Sequence, residues 1–105
     1  MTQNFGFTAT IKEKILAILR SNVTIEKAVI FGSRAKNTYK IGSDVDLAIW
    51  QKPGSNVLAK IKADFEESSL PYFFDVLDYR TIANEKLRQE IDRDGKIFYF
   101  KDDGV

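Results

Sequence analysis

Apolar residues recur along this chain with two different periods. Over 10–20, Ile11, Ile15, Ile18 and Leu19 fall at helical spacing, and Thr10 followed by Glu13 reads as a capping box at the helix start. AVIFG, 28–32, is a short unbroken apolar run that predicts a buried strand, with 33–43 as loop. In DVDLAIW, 44–50, the period becomes two: Asp44, Asp46, Ala48 and Trp50 share one face, and Val45, Leu47 and Ile49 the other. QKPGSN turns the chain, Asn56 is the predicted N-cap, and Val57, Leu58, Ile61 and Phe65 line a second helix ending near Ser69. After Pro71, YFFDVLDY predicts a third strand. Thr81 is the predicted cap of a third helix bearing Ile82, Leu87 and Ile91, stopped by Gly95. KIFYF then predicts a last strand and KDDGV a frayed tail. Strands alternating with helices predict one α/β (α+β) domain over 1–105, a mixed sheet of about four strands with helices packed on it.

Composition narrows the chemistry. The 105 residues suffice for one core. The net charge of +1 gives no whole-chain field for a general nucleic-acid binder, so direct nucleic-acid binding is not expected and any anion site is local. There is no cysteine and no histidine, which excludes thiolate nucleophiles, imidazole bases and the usual zinc ligands. Catalysis, if any, rests on carboxylates, Lys/Arg, hydroxyls and backbone groups. No signal-peptide pattern or membrane-length apolar run is evident, so a soluble cytoplasmic protein is the expectation.

The acids carry the main question. An Asp at a strand edge is usually a turn former or a solvated residue. Here Ala48 and Trp50 continue the face of Asp44 and Asp46, and Asp75 sits between apolar neighbours in FFDVLDY. If the two strands are neighbours, all three carboxylates converge. Two like charges ~4 Å apart repel by roughly 4 kcal/mol at an effective dielectric of 20, so such a group must hold protons or a cation. Asp44 and Asp46 lie about 6–7 Å apart along an extended strand, within reach of a shared ion pair. Oxygen-only ligands favour Mg²⁺, with Mn²⁺ as a substitute and two ions expected. A calcium EF-hand is excluded, because Ala48 stands where a third oxygen ligand belongs.

Gly32-Ser33 follows a strand, and a glycine there lets a ligand approach the backbone. The plain alternative is a turn capped by Ser33. No Walker A pattern is present. Arg34, Lys36 and Lys40 follow. Arg34, next to the turn, is the best placed to reach a phosphate; Lys36 and Lys40 read equally well as surface charge.

Together, FGSRAKN…GSDVDLAIW followed by FFDVLDY resembles the polymerase-beta-like nucleotidyltransferase superfamily, and the size resembles its minimal branch, whose members are usually paired with a HEPN-type helical partner. The resemblance runs from about Val29 to Tyr79 and implies a nucleotidyltransferase fold. It implies nucleotide contacts from Gly32, Ser33, Arg34 and Ser43, and metal ligation and catalysis by Asp44, Asp46 and Asp75. Asp78 faces the other side of its strand and is expected near the start of the last helix. Asn37 stands where minimal members often have glycine, a position asparagine can fill with a left-handed backbone.

What the resemblance implies is Mg²⁺-dependent transfer of NMP, with ATP the expected donor, to an acceptor hydroxyl. That acceptor is expected to be a tyrosine of a HEPN toxin, with this chain as the antitoxin. The competing reading is a non-catalytic antitoxin that neutralises its partner by contact, as homo- or hetero-oligomer. Transfer to a small molecule such as an aminoglycoside is the weakest option. Tyr39, Trp50 and Tyr72 are candidate interface aromatics, with core packing the alternative for Trp50.

Overall fold

The computed structural model describes residues 4–101. The elements are α1 (Ala9–Ser21), β1 (Ile25–Phe31), β2 (Val45–Gln51), α2 (Leu58–Glu67), β3 (Phe74–Asp78), a 3-10 turn (Tyr79–Thr81), α3 (Glu85–Asp94) and β4 (Lys96–Phe100). The four strands make one sheet in the order β3-β2-β1-β4. β1 pairs antiparallel with both β2 and β4, while β2 and β3 run parallel. A parallel pair needs a crossover, and α2 supplies it.

Period-two alternation in the central strands divides the core into two layers. Ile30, Leu47, Ile49 and Val76 pack against Ile15 and Leu19 of α1 and Ile61 and Phe65 of α2. Val29, Phe31 and Ala48 face the other way, against Ile91 of α3. Ile30, Leu47 and Ile49 are fully buried, and each such side chain contributes about 1.5–3 kcal/mol by leaving water. No helix among the described residues is long and apolar enough to cross a membrane.

The mixed sheet and helices match the expectation, but several boundaries move. β1 begins three residues before the predicted 28, because Glu26 and Lys27 disguise a strand whose charged tips find partners: Glu26 with Arg80 at 3.5 Å, and Lys27 over the Trp50 ring at 4.1 Å. Thr8, not Thr10, caps α1, its hydroxyl accepting from the Ile11 N–H at 3.2 Å. Phe7, buried edge-on against Tyr72 and Phe98, anchors the chain just before that cap. Asn56 does not cap α2; Gln51 Oε1 accepts the Val57 N–H at 3.0 Å instead. Thr81 closes the 3-10 turn, and α3 starts at Glu85 under an Asn84 cap accepting from Leu87 N–H at 3.1 Å. Gly95 does end α3, with an ordinary φ of −65°. Glycine is needed there for space, since a Cβ would strike the Ile91 carbonyl and a Val29 methyl. β4 falls on the predicted residues. Of the predicted tail, Lys101 is not frayed, its N–H donating to Glu26 O at 2.9 Å, and 102–105 lie outside the described residues.

Candidate active site

The start of β2 gathers the predicted acids. Asp46 is the register partner of Phe31 on β1 and of Asp75 on β3, so the two carboxylates stand side by side on neighbouring strands. Asp44 lies one residue before β2, at the end of the 32–44 connection. Asp44 and Asp75 are exposed and Asp46 is half-buried. All three occupy the mouth of the parallel β2–β3 pair, on the α3 side of the sheet for Asp46 and Asp75.

Gly32 shapes this mouth. It leaves β1 with φ +73°, and a Cβ on it would overlap the Asp46 Oδ2. The missing side chain lets the Asp46 carboxylate lie against the backbone. Burial pushes the Asp46 carboxyl up to about 6, and the charges of Asp75, Asp44 and Glu90 push the same way, in that order. The convergence is therefore electrostatic as well as topological. Glu90, from α3, is an acid at this site that the sequence pattern did not signal. Lys36 balances it at 3.0 Å and approaches Asp94 at 4.0 Å, so Lys36 is engaged with α3.

Among the described residues no three of these groups close into a ready-made metal cage. The donor set nonetheless suits a hard divalent cation: oxygen ligands only, adjacent like charges, and a carboxyl whose ionisation those charges oppose. Asp44 and Asp46, with Asp75 beside them, are the residues that would hold it.

The Gly-Ser connection is one turn rather than a helix: Gly32 O accepts from Lys36 N–H at 3.1 Å, and Ser33 O accepts from Thr38 N–H at 2.9 Å. Asn37 takes the left-handed conformation, φ 63°, so asparagine does fill that position. Ser33 is half-buried beside Gly32. Ser43 closes a second turn, its hydroxyl accepting from Lys40 N–H at 2.7 Å and keeping its own proton as a donor. Lys40 is exposed.

Arg34 departs from the expectation. It is 4% exposed and does not reach outward for phosphate. Its Nη1 donates to Phe5 O at 2.9 Å and its Nη2 to Ser43 O at 3.0 Å, inside a cage of Phe7, Tyr39 and Tyr72 rings. A guanidinium this buried, bonded to two backbone carbonyls, is turned away from solvent, so the structure does not place Arg34 as the outward phosphate contact that was expected. Tyr39 and Tyr72 are committed to the same cage, and Trp50 stacks on Tyr79 with ring centres 4.4 Å apart. Each predicted interface aromatic thus has packing partners and is half-buried. The exposed apolar side chains near the site are Ile41 and Phe73 instead.

Asp78 lies at the far end of β3. It caps the 3-10 turn, accepting from Arg80 N–H at 3.1 Å, and accepts from Gln51 Nε2 at 2.9 Å. It lies near the start of a helical turn, as expected, but that turn precedes α3.

The family described as "Polymerase beta, Nucleotidyltransferase" matches residues 13–104. The chain belongs to the polymerase beta nucleotidyltransferase family, in its minimal branch. Among relatives, "Probable protein adenylyltransferase MntA" of Haemophilus influenzae is 42% identical over 57 residues, covering 52% of this chain. The chain spans half the length of that relative. MJ0435 of Methanocaldococcus jannaschii, named for the same activity, is 37% identical over 73 residues, covering 69% of this chain and 77% of its own. A solved toxin–antitoxin structure with AMP-PNP superposes with TM-score 0.70 at 26% identity, over 86% of this chain and 73% of that one. The nucleotidyltransferase fold expected from the motif is thereby shown for this chain.

Proposed function

We propose that this nucleotidyltransferase transfers AMP from ATP to a tyrosine hydroxyl of a HEPN-type helical partner, acting as its antitoxin in the cytoplasm. The observation that carries the reading is the side-by-side placement of Asp46 and Asp75 on parallel strands, with Asp44 at their mouth and Gly32 opened against Asp46. Asp44 and Asp46 would hold Mg²⁺, which when bound neutralises triphosphate charge and makes the α-phosphorus more electrophilic. The Gly32-Ser33 turn offers the approaching phosphates a backbone without a side chain. Asp75 accepts the acceptor hydroxyl's proton; that oxygen bonds to the α-phosphorus as the bond to pyrophosphate breaks. Asp75 also forms one wall of a groove of about 180 Å³ between α2 and the open edge of β3, lined by Phe65, Phe73 and Phe74. This groove lies on the α2 side of the sheet, so a partner's aromatic side chain seated there would reach the Asp75 carboxylate only round the open β3 edge. The likeness to a toxin–antitoxin structure with AMP-PNP supports both nucleotide and partner.

The test is incubation with labelled ATP, Mg²⁺ and the helical neighbour. Label on the neighbour that disappears with Asp44→Asn is the expected result. A second reading, neutralisation by contact alone, draws on exposed Ile41 and Phe73 beside the site. It predicts that neutralisation persists in Asp44→Asn and that no label transfers in either form.

A further inference from the structure

The geometry points to Arg34 as a positioning residue: a buried cation that fixes the chain at the mouths of both acid-bearing strands before any ligand arrives. What those acids do rests on the reading above; the positioning itself does not. Arg34 is 96% removed from solvent by its 4% exposure, yet no carboxylate pairs with it among the described residues. It is satisfied by two backbone carbonyls, and its Nε is buried with no partner at all. Burying a charge in this way costs stability that an apolar side chain of similar volume would not. Arginine supplies something an apolar residue cannot: two donors on one rigid plane, directed at carbonyls from separate segments.

Those segments are informative. Ser43, whose carbonyl accepts from Nη2, directly precedes Asp44. Tyr72, whose ring centre lies 4.7 Å from the guanidinium carbon, stands three residues before Asp75. Arg34 itself follows Gly32 by two residues. Phe7, at 4.7 Å, and Tyr39, at 5.2 Å, complete the cage. Asp44 lies outside the β2 ladder, so strand pairing alone does not hold it. The Val45 N–H bond to Phe73 O at 2.9 Å joins the two strand mouths, and the Arg34–Ser43 bond ties the preceding loop to the core. One guanidinium thus sets the Gly32 turn, the Asp44 loop and the lead into Asp75 relative to one another.

The test compares wild type with Arg34→Lys, which keeps the charge and loses the fork, and Tyr39→Leu, which opens one wall of the cage and keeps both hydrogen bonds. Mn²⁺ affinity is read from the free-ion EPR signal in the presence of AMP-PNP, and local order from amide hydrogen exchange. Arg34→Lys is expected to weaken Mn²⁺ binding about tenfold or more, the usual range for residues that orient ligands. Exchange at 40–45 is expected to rise about tenfold while the β1 and β2 core stays protected. Tyr39→Leu is expected to move both in the same direction by about threefold, and it remains readable if Arg34→Lys does not fold. Wild-type affinity and exchange in either folded variant overturn the inference. So does faster exchange across the whole sheet with unchanged Mn²⁺ affinity, which is the mark of a merely structural role. Wild type that binds no Mn²⁺ strikes the nucleotidyl-transfer reading instead, and the exchange contrast then decides the positioning of the loop.

Discussion

β3 carries an aspartate near each end, Asp75 and Asp78, and the two are treated in opposite ways. Asp78, at the exit, accepts from Gln51 and from the Arg80 N–H, and Gln51 also holds the first amide of the α2 turn. Asp75, at the mouth, accepts no hydrogen bond from the described residues and faces another carboxylate across the sheet. One acid is tied into the fold; the other meets solvent and a like charge. The two stand on opposite faces of the strand, and the difference lies in what each face offers the oxygens.

This contrast can be broken by mutation. The largest effect is expected on chemistry: Asp46→Asn should lower nucleotidyl transfer by on the order of 10³-fold, comparable to deleting a principal electrostatic group in an active site, measured by label transfer under saturating ATP. Gly32→Ala should also abolish most activity, and its left-handed φ and the overlap with Asp46 should cost about 1–3 kcal/mol in urea unfolding.

Next comes the direct comparison along β3. Asp78→Ala strands the Gln51 amide and frees a turn, so a loss of about 1–3 kcal/mol is expected in urea unfolding. Asp75→Ala removes an exposed charge from a repelling set, so stability should change by no more than about 0.5 kcal/mol or rise slightly. Equal destabilisation by the two changes would erase the distinction.

The smallest expected effect is on pH. The Asp46 carboxyl sits above its unfolded value, at about 6. The folded state therefore binds its proton more tightly than the unfolded state does. Its contribution is full below the unfolded value near 3.8 and is lost as pH rises through about 6. Without divalent ions, wild type should thus lose stability relative to Asp46→Asn between pH 4 and 7. Added Mg²⁺ should offset the loss at the upper end. A flat difference between the two proteins across that range would contradict the assignment.

Much of this was legible in the sequence. Period-two alternation in DVDLAIW placed Asp46 opposite the Val45, Leu47 and Ile49 core face, and the apolar neighbours of Asp75 marked its strand. The β2–β3 neighbourhood required only that the crossover be short. Other features were hidden because they depend on distant partners. Gln51 reads as a turn residue, yet it is buried between two strand ends and a helix start. Arg34 has the charge of a phosphate binder, and only the folded positions of Phe5, Ser43 and three rings turn it inward. Glu90 reaches the site through the packing of α3, which periodicity does not register. The α1 cap shifted because two candidate residues, Thr8 and Thr10, stood close together.

The most direct measurement is an anomalous difference map from crystals soaked with Mn²⁺ and AMP-PNP. Density bounded by Asp44 and Asp46, with Asp75 at its margin and the triphosphate lying over Gly32-Ser33, is the expected result. Nucleotide bound with no ion at the β2 mouth, or an ion held elsewhere on the molecule, would contradict it.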